Sequence, residues 1–361
     1  MKSKKQIRRS KNKSKTFRVP LIKGGGPYKD ELFDACRKDN TDLVIKLIKE
    51  WEHVNSRDNH QMTPLHYASK NGNMDLVMAL VKRKARVNVR NGTRMTPLHH
   101  ACRYGHKEVA MFLVDKGADI DAKDEFEGRD VYSIFLDKTP LHHACVNGHK
   151  EVAMALVDKG ADIDARDRYQ RTPLHTACVK GHSEVAMALM DKGADVNTSD
   201  KYGATPLHDT CLKNDIEVAM ALLDKGADID ARDEDKRTPL HNGCRERHTK
   251  YHMKLVMALI DKGADVNTRD KNEQTPLHKA TYDRNTSLVR ALVNMGADVY
   301  AENSQGQTPL MIANFEGDRE IVRILLDGPG SRNRSRSKSR NRSTSKKSPS
   351  KSKGGKTRKN Q

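Results

Sequence analysis

Thr172-Pro-Leu-His-Thr-Ala-Cys-Val-Lys-Gly-His-Ser-Glu-Val-Ala-Met-Ala-Leu-Met-Asp-Lys-Gly-Ala-Asp-Val-Asn-Thr-Ser-Asp-Lys-Tyr-Gly-Ala204 is one unit that the chain uses again and again. Thr172 offers the hydroxyl of an N-cap, and Pro173 suits the first helical turn, where its missing N–H costs nothing. Gly181 is placed to end that short helix in a left-handed conformation. A second helix begins near Glu184, carries Val185, Ala188 and Leu189 on one face, and stops at Gly193. The remainder, Ala194 to Ala204, is rich in Asp, Asn, Gly and Ser and predicts a turn that projects beyond the two helices.

Thr-Pro-Leu-His recurs at Thr63, Thr96, Thr139, Thr172, Thr205, Thr238 and Thr275, and a Thr-Pro-Leu-Met variant begins at Thr308. The steps are 33, 43, 33, 33, 33, 37 and 33 residues. Asp-Lys-Gly-Ala-Asp recurs in phase at Asp115, Asp158, Asp191, Asp224 and Asp261, so helix, turn, helix and finger repeat together. A fixed period of this length is the signature of a solenoid of helical hairpins. On these motifs, over residues 28 to 327, the chain resembles the ankyrin-repeat family. The resemblance implies an all-α ankyrin-repeat solenoid of about nine helix-turn-helix repeats with β-turn fingers. An N-terminal cap is expected over 28–58, where the helical spacing persists without the motif, then eight further repeats, the last a C-terminal cap. Disordered basic tails are expected at 1–27 and 328–361. Such a fold hosts many functions and names none.

The charge is divided sharply. The chain carries 67 Lys plus Arg against 48 Asp plus Glu, but residues 1–27 hold 10 of the cations and residues 328–361 hold 13, with no acidic residue in either tail. The segment between holds 44 against 48, a net −4. The N-terminal tail reads as a solubilising arm, a nuclear-import signal or a non-specific grip on nucleic acid. The C-terminal tail, rich in Arg and Ser, cannot build a core. Ser348 before Pro349 suits a proline-directed kinase, and phosphorylation there would remove about 1.5 to 2 units of positive charge.

Cys102, Cys145, Cys178, Cys211 and Cys244 each follow a motif histidine by three residues, so they occupy one helix position in successive repeats. Stacked helices sit roughly 8 to 10 Å apart, beyond disulfide reach, and the thiols read as buried hydrophobes in a reducing compartment. No apolar run suits a membrane span or a secretory signal. A monomer in the cytoplasm or nucleus is expected.

Three repeats depart from the pattern. Fourteen residues separate Asp124 from Thr139 where neighbouring repeats have four, and the excess brings Phe126, Tyr132 and Phe135. Insertions in solenoids map to loops on one face, often the binding face, although these apolar residues could instead fold back on their own repeat. Four extra residues lie around Arg247 to Met253. Asn214-Asp215 stands where other repeats have Gly-His, which should loosen that turn.

The histidines invite a metal reading, but His66, His99, His142, His175, His208, His241 and His278 recur once per repeat, and a metal needs ligands converging within about 2.0–2.6 Å. In the family this histidine bonds backbone groups of the adjoining repeat. His100 and His143 add a second imidazole at a position expected to be exposed. Gly354-Gly355-Lys356-Thr357 ends like a phosphate loop, but Ser350 stands where the first glycine is needed. No catalysis, cofactor or metal is expected.

In proteins of this family, finger tips and first-helix positions line a concave groove. Carried onto this chain, the groove takes in Tyr67, His100, Arg103, Tyr104, Arg168, Tyr169, Arg171, Tyr202, Arg245 and Tyr282, with Phe126, Tyr132 and Phe135 from the insertion. Tyr and Arg are the residues that carry binding hot spots. The leading function is a non-enzymatic protein–protein interaction scaffold that holds an intracellular partner in this groove. The alternative is a nucleic-acid-associated protein anchored to RNA or DNA by its tails, with affinity that falls steeply with salt. Asn88, Asn197 and Asn267 resemble positions that asparaginyl hydroxylases modify in other ankyrin proteins. Near-identical repeats between basic tails resemble proteins of giant DNA viruses, which would place the chain in a host cell or virion, and equally the arrays of eukaryotes and intracellular bacteria.

Overall fold

The computed structural model describes residues 27–51, 53–124, 137–244 and 252–328. The side chain of Trp51, expected to pack on the next repeat, and all of residues 125–136 and 245–251 lie outside them, as do both tails. Among the described residues eighteen helices follow one another in pairs: α1 (Pro27–Arg37) with α2 (Thr41–Trp51), α3 (Pro64–Asn71) with α4 (Met74–Lys82), and α5 (Pro97–Arg103) with α6 (Lys107–Asp115). The series continues with α7 (Pro140–Val146) and α8 (Lys150–Asp158), α9 (Pro173–Lys180) and α10 (Ser183–Asp191), and α11 (Pro206–Lys213) and α12 (Ile216–Asp224). It ends with α13 (Pro239–Gly243) and α14 (His252–Asp261), α15 (Pro276–Tyr282) and α16 (Thr286–Asn294), and α17 (Pro309–Phe315) and α18 (Arg319–Asp327).

Each hairpin forms for the local reasons its sequence carries. Thr172 is the N-cap of α9, its hydroxyl accepting from the backbone N–H of His175, and Pro173 fills the first position. Gly181 closes the helix at φ 72°, a left-handed conformation that glycine adopts without strain. First helices pack on first helices of the next repeat and second helices on second helices, which makes one continuous core. Leu174, Val185 and Leu189 are essentially inaccessible to solvent, as are their counterparts in other repeats. All six cysteines are buried free thiols. Burial pushes the Cys36 and Cys178 thiols up to about 12, so at neutral pH they are packing groups.

The motif histidine ties the repeats together. The imidazole of His142 accepts at Nδ1 from the Thr139 backbone N–H (3.3 Å) and donates from Nε2 to the Arg171 carbonyl of the next repeat (2.9 Å). The same pair of bonds recurs at His66 with Met95, His99 with Lys138, His175 with Ala204, His208 with Arg237, His241 with Gln274 and His278 with Gln307. An acceptor Nδ1 and a donor Nε2 fix the neutral Nε2–H tautomer. Burial agrees with it, holding His66 and His175 down to about 4 and His99 and His142 to about 3.

A second ladder runs between the hairpin turns. His106 Nε2 donates to the Lys70 carbonyl (2.9 Å), His149 to Arg103 (3.1 Å) and His182 to Val146 (3.0 Å). Each ring sits against the glycine that ends the preceding repeat's first helix, so a Cβ on Gly148 would meet the His182 ring at 2.8 Å. The turn at Asn214-Asp215 is not loosened as its sequence suggested. Asn214 takes the left-handed position at φ 55°, and the Asp215 carboxylate caps α12 through the Val218 N–H (3.1 Å).

Candidate partner-binding face

The fingers are built on one Asp or Asn side chain apiece. Asp167 Oδ1 accepts from the backbone N–H groups of Tyr169 (2.8 Å) and Arg171 (3.0 Å), which folds the tip into an Asx-type turn. Asp200 holds Tyr202 and Ala204 in the same way, and Asp233 and Asp270 repeat it. Neighbouring fingers then join through their backbones: Lys201 N–H donates to the Tyr169 carbonyl (2.8 Å), and Glu234 N–H to the Tyr202 carbonyl (2.8 Å). Tyr67, His100, His143 and Lys279, each following a motif histidine, reach back to the finger Asp or Asn of their own repeat. First helices and fingers therefore share a face.

That reach decides which expected contact residues are available. Tyr67 is only 8% exposed, its hydroxyl donating to Asp58 Oδ2 (2.7 Å), and His100 is likewise 8% exposed, its Nε2 accepting from Asn91 Nδ2 (3.2 Å). Neither is the open contact its sequence position suggested. His143 is also buried rather than exposed; its Nε2 donates to Asp124 Oδ2 (2.8 Å). Burial pushes the Asp124 carboxyl up to about 6 and the His143 imidazole down to about 3, so at neutral pH a carboxylate accepts from a neutral ring. Tyr282 is half-buried and donates to Gln307 Oε1 (3.1 Å).

The remaining candidates do reach the surface, and several meet. Tyr169 and Tyr202 stack across adjacent fingers, with ring centroids 6.5 Å apart and planes at 23°. The Lys201 ammonium lies over both rings, 3.9 Å and 4.8 Å from their centroids, and the Arg171 guanidinium is 5.8 Å from Tyr169. Arg171 also pairs with buried Asp200 (3.2 Å), and exposed Arg168 with Asp137 (3.5 Å). Tyr104 is 44% and Tyr202 42% exposed, with the Lys70 ammonium 5.6 Å from the Tyr104 ring; Arg103, beside Tyr104 at the end of α5, is half-buried. Phe126, Tyr132, Phe135 and Arg245 lie outside the described residues.

Asn88, Asn197 and Asn267 are exposed, and each bridges to the next repeat. Asn197 Nδ2 donates to the Gly226 carbonyl (2.9 Å) and its Oδ1 accepts from the Asp228 N–H (2.8 Å). Among the described residues no group of three or more His, Cys, Asp or Glu side chains could hold a metal ion, and no helix is long and apolar enough to cross a membrane.

The ankyrin-repeat family model, three copies long, matches residues 32–124, 127–200, 193–270 and 247–336. The chain belongs to the ankyrin-repeat family. No curated protein matches it. Ankyrin repeats are generally protein–protein interaction modules, and the family is typically non-enzymatic.

Counting charge along the sequence of the ankyrin array does not single out Lys138, Lys180 and Lys213, which add to the same face. The signal of Lys180 and Lys213 lies at the two residues that end each first helix. There the repeat does not repeat: Lys70-Asn71, Arg103-Tyr104, Val146-Asn147, Val179-Lys180 and Leu212-Lys213.

Proposed function

We propose that the ankyrin array is a non-enzymatic scaffold that holds a protein partner on its finger face. The observation that carries this reading is the set of Tyr104, Tyr169 and Tyr202, the first and last exposed and Tyr169 half-buried, on fingers and a helix end and each beside a cation. Tyrosine offers wide contact area with few rotatable bonds, and rigid display limits the entropy lost on binding. Residues 126–136 would add specificity. Replacing Tyr104, Tyr169 and Tyr202 together by Ala should lower recovery of a bound partner from a matched lysate by at least tenfold, since single hot-spot truncations cost about 2 kcal/mol. Unchanged recovery would remove the finger face as the binding surface.

The basic tails favour a second reading, an anchor to RNA or DNA. Binding of the whole chain to a mixed-sequence RNA or DNA duplex should then fall steeply between low and physiological salt. A flat salt response would leave the tails as import or solubility elements. Asn88, Asn197 and Asn267 are proposed substrates of an asparaginyl hydroxylase; intact mass without the increment of one oxygen after exposure to such an enzyme would count against it.

A further inference from the structure

The two halves of the finger face differ in how their charges are closed. Around the later fingers, Asp235, Arg237, Asp270, Lys271, Asn272 and Lys279 line a cavity of about 300 Å³, and its cations meet its acids: Lys279 with Asp270 (3.3 Å), Arg237 with Asp235, and Lys271 with Asp235 (4.0 Å). From α3 to α11 the acids of this face, Asp58, Asp124, Asp167, Asp200 and Asp209, are buried, and most serve the finger turns. Lys70, Lys180, Lys201 and Lys213 stay at the surface, and Arg103 and Lys138 are half-buried. Among the described residues no carboxylate oxygen lies within 4.0 Å of the charged group of Lys70, Arg103, Lys138, Lys180, Lys201 or Lys213. They also feel one another: burial lowers the pKa of Lys138, and Lys180 and Arg171 add to that against the pull of Asp167 and Asp124.

We infer that this basic half of the finger face binds an extended acidic segment of a protein partner, which deepens the scaffold reading above and rests on it. The array between the tails is net negative, so cations gathered on one face without a direct carboxylate contact mark a local positive field, and such a field selects a complementary partner. Five first helices at about 10 Å spacing span roughly 40 Å, the length of about twelve residues of extended chain. A peptide is favoured over single-stranded nucleic acid because two of the three tyrosines already stack on each other. Tyr169 and Tyr202 face each other and Lys201, which leaves their hydroxyls and the surrounding ammonium groups, suited to carboxylates, as the open recognition groups.

The test uses the full chain and a labelled, photo-activatable peptide of about twelve residues, alternating Glu and Gly, matched to that span. Cross-links should fall on α5, α9, α11 and the fingers at 168–171 and 201–204. Lys180→Glu with Lys213→Glu should weaken binding about tenfold or more. Lys192→Glu with Lys225→Glu, the same charge change on the second-helix face, should weaken it less than about twofold, because the tails feel both changes alike. Equal losses in the two pairs, or cross-links confined to residues 1–26 and 329–361, would overturn the inference. So would an oligouridylate of matched charge that cross-links to Tyr169 and Tyr202 and displaces the peptide, which would make the occupant nucleic acid. If the acidic peptide fails while the Tyr104, Tyr169 and Tyr202 substitutions still abolish partner recovery, the scaffold reading stands and only the charge selection falls.

Discussion

The seam between the repeats at Thr139 and Thr172 and the next one, between Thr172 and Thr205, carry the same glycine with different neighbours. At the first, Gly148 (φ 74°) lies under the His182 ring, and that ring donates to the Val146 carbonyl. At the second, Gly181 has nothing within 4 Å of where a Cβ would stand. Asp215 takes the histidine's place, bonds Ser183 Oγ, and borders an open cleft of about 580 Å³. The difference shows that a repeated glycine answers to two separate demands. Backbone conformation requires it at both seams, but close approach of the next repeat requires it only where a histidine follows.

Both seams share the motif-histidine ladder, so acid should act on them together and most strongly. These imidazoles are neutral in the fold with pKa values held at about 3 to 4 where burial is deepest, against about 6.5 in an unfolded chain. Below about pH 6.5 the unfolded chain therefore binds more protons than the native one, and stability contributed by the ladder is lost progressively as pH falls toward 4. Hydrogen exchange of the whole chain at pH 5 against pH 7 should show faster opening on both sides of residue 181. Loss confined to one seam would mean that the two ladders are not independent.

Gly148→Ala and Gly181→Ala separate the two demands on the glycine. Both place Cβ on a left-handed residue, at a cost of about 1 kcal/mol. Only Gly148→Ala also drives Cβ into an imidazole, which raises its total to about 2–4 kcal/mol. The expected readout is faster exchange in α8 and α10 for Gly148→Ala and a change several-fold smaller in α10 and α12 for Gly181→Ala. Equal effects would reduce the comparison to backbone conformation alone.

Asp209, on α11 shortly before Asn214, bears on the same seam. Its Oδ2 is buried without a hydrogen-bond partner. Burial raises its pKa to about 7, Arg171 opposing that and Asp200 adding to it. The native state thus holds a proton that the unfolded state releases near 4, and the stability this confers is lost as pH rises through 7. Asp209→Asn removes the charge and should stabilise the array by about 1–3 kcal/mol at pH 8, with little change near pH 5. Thermal melts at the two values read the difference. A gain at pH 8 that also raises exchange protection across Asn214 would assign any difference in protection between the two seams to the buried carboxyl rather than to the missing histidine.

How much of this was legible in the sequence depends on how far each cause reaches along the chain. Thr172, Pro173 and Gly181 act within one turn, and the period of 33 residues repeats their message, so the hairpins could be read directly. Tyr67 and His100 could not be placed, because whether they face solvent depends on Asp58 and Asn91, nine residues upstream and brought close only by the finger's fold. Lys180 and Lys213 were visible as charges, but that no carboxylate of the described residues lies within 4.0 Å of either ammonium is apparent only in the packed array. The Gly-His pairs were visible as a motif too. Their meaning crosses repeats, since the glycine of one repeat makes room for the histidine of the next.

Asp215→His tests that last relation by installing the missing partner. The new ring would lie over Gly181, where there is space, with Nε2 in line for the Val179 carbonyl by the register of His182 with Val146. The substitution also removes the α12 cap that Asp215 gives the Val218 N–H and the bond to Ser183 Oγ. Loss of a cap costs about 1 kcal/mol, and one inter-repeat hydrogen bond returns about as much. The net change in stability should therefore be near zero, while exchange at the Val179 and Gly181 amides slows as the cleft closes. Slower exchange there with an unchanged melt would show that the closed seam is a matter of register between repeats more than of added stability. Unchanged exchange would mean that the ring does not dock, and that Asn214, not Asp215, keeps this seam open.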